Sequence, residues 1–145
     1  MTAFIEDLEA EEGRRRTVYD DKTGKPIVPG YKVIGHPTVG VGIRLDGAGL
    51  DDEEIDWLRD RRVERARRAV TARWPWTMNL SEARRDVLVQ MTFQLGPDGV
   101  ARFAKFLGAL RRGDFSEAAD EMGESLWARQ TPARAERLAK AMREG

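Results

Sequence analysis

The spacing of apolar side chains predicts that the chain begins with one helix. Phe4, Ile5 and Leu8 recur at helical spacing and form an apolar stripe. We therefore predict a first helix from about Ala3 to Glu12, and Gly13 is a typical residue to end it.

The pattern then changes to that of short strands. Thr17–Tyr19 is β-branched and aromatic, which predicts a strand, and the polar segment Asp20–Lys25 predicts a turn. The next ten residues contain Pro and Gly at several positions, which favours either an edge hairpin or an irregular loop. Thr38–Ile43 alternates glycine with β-branched residues and predicts a returning strand. Its glycines indicate either close approach by another backbone or a ligand, or a twisted or bulged strand.

The remainder of the chain has helical patterns. Asp51 and Glu54 have the spacing of a capping box and predict the start of a helix of about 22 residues. Trp74-Pro75-Trp76 interrupts that pattern and supplies aromatic side chains that we expect in the core. A central core helix is predicted from Leu80 to Leu95. Three shorter helices follow, from Val100 to Leu110, from Asp114, and from Thr131-Pro132, where Thr131 would be the N-cap.

These elements predict an α+β fold that is mainly α. With 145 residues and 41% hydrophobic content, the chain is long enough for a single domain with its own core. We expect a small β-containing N-terminal lobe at about 13–50, a linking helix at about 52–72 and a helical C-terminal lobe at about 74–145. The first helix, 3–12, is expected to pack on the helical lobe.

Composition excludes several kinds of chemistry. The chain has no cysteine and one histidine, so it has neither disulfides, nor thiolate chemistry, nor a His-rich metal cluster. We expect no metal or other cofactor, and His36 is expected to be a solvated loop residue. No apolar run approaches membrane-spanning length and the first 16 residues do not resemble a signal peptide, which predicts synthesis in the cytoplasm without stable membrane insertion.

Charge is distributed unevenly along the chain. Residues 1–58 carry 13 acidic and 7 basic side chains, whereas residues 59–145 carry 12 acidic and 18 basic ones. The basic part could favour an anionic polymer such as cell wall or nucleic acid, or it could be a solvated arginine-rich surface. No base-reading motif accompanies it.

Two carboxylates and a hydroxyl lie where catalysis could use them. At about 100° per residue, Glu12 falls near the centre of the apolar stripe and Glu11 about twice as far away, so Glu12 is expected to be less solvated. Burial favours the neutral form that a proton donor needs. Asp21 lies in a polar turn and should be ionised, and Thr38 begins the returning strand. They could be an acid, a base and a holder of water, although such residues are also common without a catalytic role.

Several motifs resemble those of the tailed-phage lysozymes, the muramidases of glycoside hydrolase family 24. Glu12-Gly13 followed by Tyr19-x-Asp21 resembles the opening motif of that family. Pro37-Thr38-Val39-Gly40-Val41-Gly42 resembles its Thr-Ile-Gly-x-Gly strand. Residues 91–96, 99–103 and 125–135 are similar to its core helix, the following turn and its closing helical segment.

The resemblance implies a lysozyme-like fold and hydrolysis of peptidoglycan between N-acetylmuramic acid and N-acetylglucosamine. It implies that Glu12 is the general acid and that Asp21 and Thr38 hold the water that attacks with inversion. It also implies that Arg134 pairs with the catalytic glutamate. The other supporting residues that it indicates are Gln94, Gly96, Tyr19, Gly40 and Gly42.

The chain departs from the family pattern at two places. The segment between Asp21 and Thr38 is longer than in the shortest members, which leaves the relative position of these residues open, and Ile43 stands where many members have histidine. A virion-borne lysozyme, a transglycosylase and a non-catalytic module that binds cell wall or nucleic acid are the alternatives. We expect a monomer that acts on peptidoglycan rather than nucleic acid, reaching the wall from the host cytoplasm after membrane disruption.

Overall fold

The computed structural model describes residues 2–145 and is mainly helical, with a small antiparallel sheet near the N-terminus, which confirms the predicted α+β class. In chain order its elements are α1 (Thr2–Glu12), β1 (Arg15–Asp20), β2 (Pro37–Gly40), β3 (Ile43–Arg44), α2 (Asp52–Arg73), a 3₁₀ turn (Pro75–Asn79), α3 (Glu82–Ala101), α4 (Ala104–Arg112), α5 (Phe115–Gly123), α6 (Leu126–Gln130) and α7 (Pro132–Glu144). Within the described residues, none of the helices combines the length and apolar character needed to cross a membrane.

The chain divides into two compact units. The N-terminal unit extends to Asp56, and the helical unit comprises Trp57–Gly145. The lobe boundaries predicted from the sequence, and the packing of the first helix on the helical lobe, stay predictions.

Gly13 ends α1 as predicted. Its φ of +76° lies in the left-handed region that favours glycine, and its amide donates to Glu9 O over 2.9 Å. Glu12 is therefore the last helical residue, and the chain turns directly into β1.

The sheet has the order β1-β2-β3, and both pairings are antiparallel. Tyr19 of β1 lies opposite Thr38 of β2. The single strand predicted over Thr38–Ile43 is wrong, because Gly40 and Gly42 both have φ of +67° and the chain turns there. Two short strands, β2 and β3, result.

The segment after β1 is an irregular loop that first returns along β1. Asp20 N donates to Lys25 O over 2.9 Å, Ile27 N donates to Val18 O over 3.0 Å, and Tyr19 forms a bridge with Pro26. These hydrogen bonds pair backbone groups of β1 along the edge that does not face β2. The loop therefore combines the two alternatives predicted for it, with a short edge pairing followed by irregular chain.

The long helix α2 begins and ends where the sequence predicts, and it has 22 residues. Its capping box is formed in both directions: Glu54 N donates to Asp51 Oδ1 over 2.8 Å, and Asp51 N donates to Glu54 Oε2 over 2.9 Å. Two of the unsatisfied amides at the helix start are thus hydrogen-bonded without help from any other element.

The core of the helical unit is built around α3. Val87, Leu88 and Met91 of α3 are buried, and Leu138, Ala139 and Met142 of α7 are buried in the same cluster. Trp74 is also buried there and Trp76 packs against it, which confirms that both aromatics belong to the core.

Helix α3 has an interruption at Gly96, where φ and ψ are 73° and 163° and Pro97 follows. The predicted stop after Leu95 is therefore a kink. The helix predicted over Val100–Leu110 is wrong as one element, because residues 97–101 complete α3 and α4 starts only at Ala104.

The caps of the later helices differ from each other. Asp114 Oδ1 accepts from Glu117 N over 3.0 Å at the start of α5, as its spacing predicts. Thr131 is the N-cap residue of α7, as predicted, but its hydroxyl donates to Trp127 O over 3.0 Å and makes no cap hydrogen bond. Pro132 still begins α7 because it needs no amide partner there.

Leu88→Ala should destabilise the helical unit much more than Leu126→Ala. Leu88 is 0% exposed, and truncating such a side chain costs about 2–5 kcal/mol because it leaves a cavity. Leu126 is 64% exposed and provides the matched control, with an expected change within about 0.5 kcal/mol. Urea denaturation measures both. Equal losses would contradict the described core.

Candidate active site

Glu12 lies against the hairpin that joins β2 and β3. A Cβ at Gly42 would lie 3.0 Å from Glu12 Cδ and still closer to its Oε2, so a side chain at this position would displace the carboxylate from its present place. Gly42 also has a φ of +67°, which favours glycine independently. The helix end and the hairpin thus place the Glu12 carboxylate beside bare backbone.

Glu12 is exposed, and Glu11 is exposed as well. The prediction that burial distinguishes Glu12 is therefore wrong. The reason lies in the stripe used to predict it, because Phe4, Ile5 and Leu8 are themselves exposed. A carboxylate near the centre of an exposed stripe gains no burial from it.

Asp21 is exposed and is held by the backbone of His36. Its Oδ1 accepts from His36 N over 2.7 Å, and its own amide donates to His36 O over 3.1 Å. Its Oδ2 accepts no hydrogen bond from residues 2–145. One oxygen is thus fixed by the protein while the other is available to a water or a substrate.

Thr38 is hydrogen-bonded to His36, the same residue that holds Asp21. The Thr38 hydroxyl donates to His36 O over 3.1 Å, and Thr38 is only 2% exposed. Its proton is therefore engaged, so the oxygen can act toward a water only as an acceptor. The structure brings together Asp21 and Thr38 despite the long segment between them.

Asp20 is the neighbour of Asp21 but points into the protein, where it is 0% exposed. Its Oδ2 accepts from Ile34 N over 2.8 Å and from the Tyr31 hydroxyl over 3.2 Å. Its Oδ1 accepts from Gly35 N and Lys22 N, each over 3.0 Å. Four hydrogen bonds therefore hold this buried carboxylate, and we call Asp20 the anchor of the loop.

The hydrogen bond from Ile34 N is the main cause of a lowered pKa at Asp20, and burial acts in the opposite direction. The amides of Lys22 and Gly35 and the hydroxyl of Tyr31 also lower this pKa. Asp20 therefore stays ionised although it is buried. It is not among the site residues predicted above, because the only sequence signal is the Asp20-Asp21 doublet, which does not show which carboxylate faces inward.

His36 is not the simply solvated residue that was predicted. Its Nδ1 lies 2.8 Å from Asp46 Oδ2 and 2.7 Å from Arg44 Nη2. Nδ1 can donate to Asp46 or accept from Arg44, but it cannot do both at once. The hydrogen bond with His36 is the main cause of a lowered pKa at Asp46.

No group of three or more His, Cys, Asp or Glu side chains among residues 2–145 is arranged to hold a metal ion. The contact between His36 and Asp46 joins two side chains and is not part of such a group. The expectation that the chain needs no cofactor stays a prediction.

Tyr19 and Gly40, two more of the predicted supporting residues, lie in the sheet. Tyr19 is buried opposite Thr38, and the guanidinium of Arg15 lies 4.5 Å from its ring centroid. At Gly40, a Cβ would lie 3.4 Å from Ile43 Cδ1, which is a tight contact. Both residues shape β1 and β2 around Thr38.

In the helical unit, two of the predicted supporting residues, Gln94 and Arg134, form a hydrogen-bond network with Trp127. Gln94 Oε1 accepts from Trp127 Nε1 over 2.9 Å and from Arg134 Nη1 over 2.8 Å. Both partners only donate, so they fix the amide orientation and leave the Gln94 Nε2 group pointing elsewhere. Gly96 lies two residues further, at the kink of α3. The pairing of Arg134 with the catalytic glutamate stays a prediction.

The sequence matches the family profile described as Phage lysozyme over residues 9–141. The chain belongs to the phage lysozyme family. The match includes every site residue named above, in both units. The resemblance seen in the motifs is thereby confirmed at the level of the family.

This phage lysozyme-family chain is similar to curated proteins of different lengths. It is 34% identical over 168 residues to Probable T4-type lysozyme 1 of Dictyostelium discoideum, covering 100% of this chain and 96% of that protein. It is 36% identical over 67 residues to Probable T4-type lysozyme 2 of the same organism, covering 46% and 39%. It is 29% identical over 153 residues to the pre-baseplate central spike protein Gp5 of Enterobacteria phage T4, covering 94% of this chain but only 27% of Gp5.

Gly42→Ala should displace Glu12 and destabilise the N-terminal unit. A left-handed φ costs a residue with a Cβ roughly 1–2 kcal/mol, and the new methyl group would overlap the Glu12 carboxylate. Urea denaturation measures the loss, and the Glu12 carboxyl ¹³C shift reports the displacement. Gly47→Ala is the control, since a Cβ there meets nothing within 4 Å. An unchanged Glu12 signal in Gly42→Ala would contradict the contact.

The stability of the fold should depend on the ionisation of Asp20. Because the folded-state pKa of Asp20 is lowered, its contribution is complete above the ordinary value of 3.8 and is lost as the pH falls through the folded value. The Tm of the wild type should therefore fall more between pH 6 and pH 3 than that of Asp20→Asn. Asp7→Asn, at an exposed position of α1, should behave like the wild type. An equal fall in Asp20→Asn would contradict the anchor.

Proposed function

We propose that this chain is a peptidoglycan hydrolase, an N-acetylmuramidase that cleaves between N-acetylmuramic acid and N-acetylglucosamine with inversion. Membership of the phage lysozyme family supports the reaction class. The observation that carries the proposal is the contact of Glu12 with Gly42, because it brings an exposed carboxyl to the hairpin whose first strand holds Thr38.

Inversion is proposed from the family resemblance, and the two carboxyl groups contact the chain at opposite ends of β2. Glu12 contacts Gly42, just after β2, whereas Asp21 is bonded to His36, just before β2. A strand of four residues extends about 10 Å between its end Cα atoms. Inverting glycosidases keep their carboxyl groups roughly 6.5–9.5 Å apart so that a water fits between sugar and base, while retaining enzymes keep them about 5–5.5 Å apart.

In the proposed reaction, protonated Glu12 donates its proton to the glycosidic oxygen as the bond to the anomeric carbon breaks. A water donates one hydrogen bond to Asp21 Oδ2 and the other to Thr38 Oγ, which leaves an oxygen lone pair for the anomeric carbon. As the new bond forms, Asp21 takes a proton from this water. A carboxylate can take up a proton whereas a threonine hydroxyl is not basic, so Asp21 is the base and Thr38 orients the water.

Gln94 is proposed as a substrate-binding donor. Trp127 and Arg134 occupy its amide oxygen, and neither N–H bond of Nε2 has an acceptor among residues 2–145, so both can meet a carbonyl oxygen of a substrate. Peptidoglycan offers such acceptors in the acetamido groups of its sugars and in its peptide stems. The fixed orientation of this amide favours a carbonyl over a donor group as its partner.

A second candidate setting for the same reaction is a lysozyme carried on the virion. The similarity to Gp5, a central spike protein, favours this setting. The first setting is phage-induced lysis by a monomeric enzyme made in the host cytoplasm, which reaches the periplasmic wall after membrane disruption. Both settings use the same residues, so the chemical test applies to either.

Glu12→Gln should abolish lysis of purified peptidoglycan while leaving the fold intact. Removing a general acid lowers the rate by about 10²–10⁴-fold. Glu11→Gln is the matched control, since Glu11 is the adjacent exposed glutamate and should retain wild-type activity. Turbidity measures lysis, and circular dichroism verifies folding of all three proteins.

The outcomes separate the remaining alternatives. Absence of lysis by folded wild type would reject the enzyme and favour the non-catalytic binding module. Equal lysis by wild type and Glu12→Gln would show that another carboxyl is the acid. NMR of the fresh product decides the stereochemistry, and an initial product with the α-configuration at the new reducing end would support inversion of the β-glycosidic bond. An anhydro sugar product would instead indicate a transglycosylase.

A further inference from the structure

The loop between β1 and β2 is not held in place by apolar burial. Its apolar side chains Val28, Val33 and Ile34 are exposed, and Ile34 reaches 63%. Beyond the short pairing of Lys25 and Ile27 with β1, the loop has little regular backbone pairing. Ile27 and Tyr31 are half-buried. Polar interactions are therefore needed to fix the remainder of the loop.

The carboxylate of Asp20 supplies those interactions along the whole loop. Its four donors come from Lys22 near the beginning, Tyr31 in the middle, and Ile34 and Gly35 near the end. The Tyr31 hydroxyl also lies 2.7 Å from Thr23 Oγ1, which ties the middle of the loop to its beginning. One buried charge thus gathers segments that are up to 15 residues apart in sequence.

The end of the loop transmits this arrangement to Asp21. Gly35 N donates to Asp20 Oδ1, and the next amide, His36 N, donates to Asp21 Oδ1 over 2.7 Å. A Cβ at Gly35 would lie 2.7 Å from Asp20 Oδ1 and still closer to Asp21 Oδ1, so this backbone touches both carboxylates. Because Gly35 and His36 share a peptide bond, we expect displacement of Gly35 from Asp20 to shift His36 relative to Asp21.

We propose that Asp20 is a positioning residue for the reaction, which holds the His36 peptide in the place where it orients Asp21 and Thr38. This inference rests on the proposed function of Asp21 and Thr38. Asp20 is 0% exposed, so it acts on substrate only through its neighbour. Its loss should lower kcat with little change in KM, because it misplaces the base without removing a substrate contact.

The test compares wild type with Asp20→Asn, which keeps the size of the side chain but places an amide donor against donors. Tyr31→Phe removes one donor to the same carboxylate and disturbs the fold less. Asp7→Asn is the control for a lost carboxylate at an exposed position outside the site. For each protein, kcat and KM are measured on soluble peptidoglycan fragments, well below the Tm of that variant. The ¹H–¹⁵N signal of His36 and the carboxyl ¹³C signal of Asp21 report the geometry.

In Asp20→Asn we expect kcat to fall by about 10- to 100-fold with KM nearly unchanged, together with a shift of the His36 amide and Asp21 carboxyl signals. Tyr31→Phe should change the same signals and lower kcat by a smaller factor. Asp7→Asn should match the wild type. A purely stabilising role of Asp20 would lower the Tm without moving kcat in the folded protein.

Several results would overturn the proposal. They are full kcat in folded Asp20→Asn, or a loss of kcat without any shift of the His36 and Asp21 signals. If Asp20→Asn does not fold, Tyr31→Phe decides, and wild-type kcat and signals in that variant overturn the proposal. An inactive wild type would instead be a failure of the proposed function, and the two NMR signals would still decide whether Asp20 positions His36 and Asp21.

Discussion

The buried charge of Asp20 is the constraint on which the N-terminal unit depends. A carboxylate taken out of water is costly unless donors replace its hydration, and here three backbone amides and one hydroxyl do so. Because these donors belong to the loop, satisfying the charge also folds the loop. The Asp21 carboxylate, one residue away, then receives the next amide, from His36. The amides of two consecutive residues, Gly35 and His36, thus donate to the buried carboxylate of Asp20 and to the exposed carboxylate of Asp21, respectively.

The absence of side chains is as important to the site as their presence. Gly35 lies where any Cβ would collide with both aspartates, and Gly42 lies where it would collide with Glu12. Each glycine lets a carboxylate approach the backbone closely. The left-handed φ of Gly42 also turns the chain from β2 into β3, so one residue fulfils a steric and a conformational requirement.

The helical unit supplies an apolar core and a basic surface. Several of its arginines form ion pairs, as in Arg67–Asp86, Arg68–Glu64 and Arg112–Glu117. Such exposed pairs contribute only about 0–1 kcal/mol each to stability, and they leave the net basic excess of this part unchanged. A solvated arginine-rich surface and a binding face for an anionic polymer both stay predictions.

Local signals in the sequence determined the end of α1 at Gly13, the start of α2 at its capping box and the apolar face of α3, because each depends on residues within a turn or two of one another. They also indicated the site residues through family motifs. Only the tertiary structure decided that Asp20 points inward while Asp21 points outward, and that His36 joins Asp21 to Thr38. These arrangements depend on hydrogen bonds between residues about 15 positions apart, and no periodicity in the chain encodes which distant amide a carboxylate will meet.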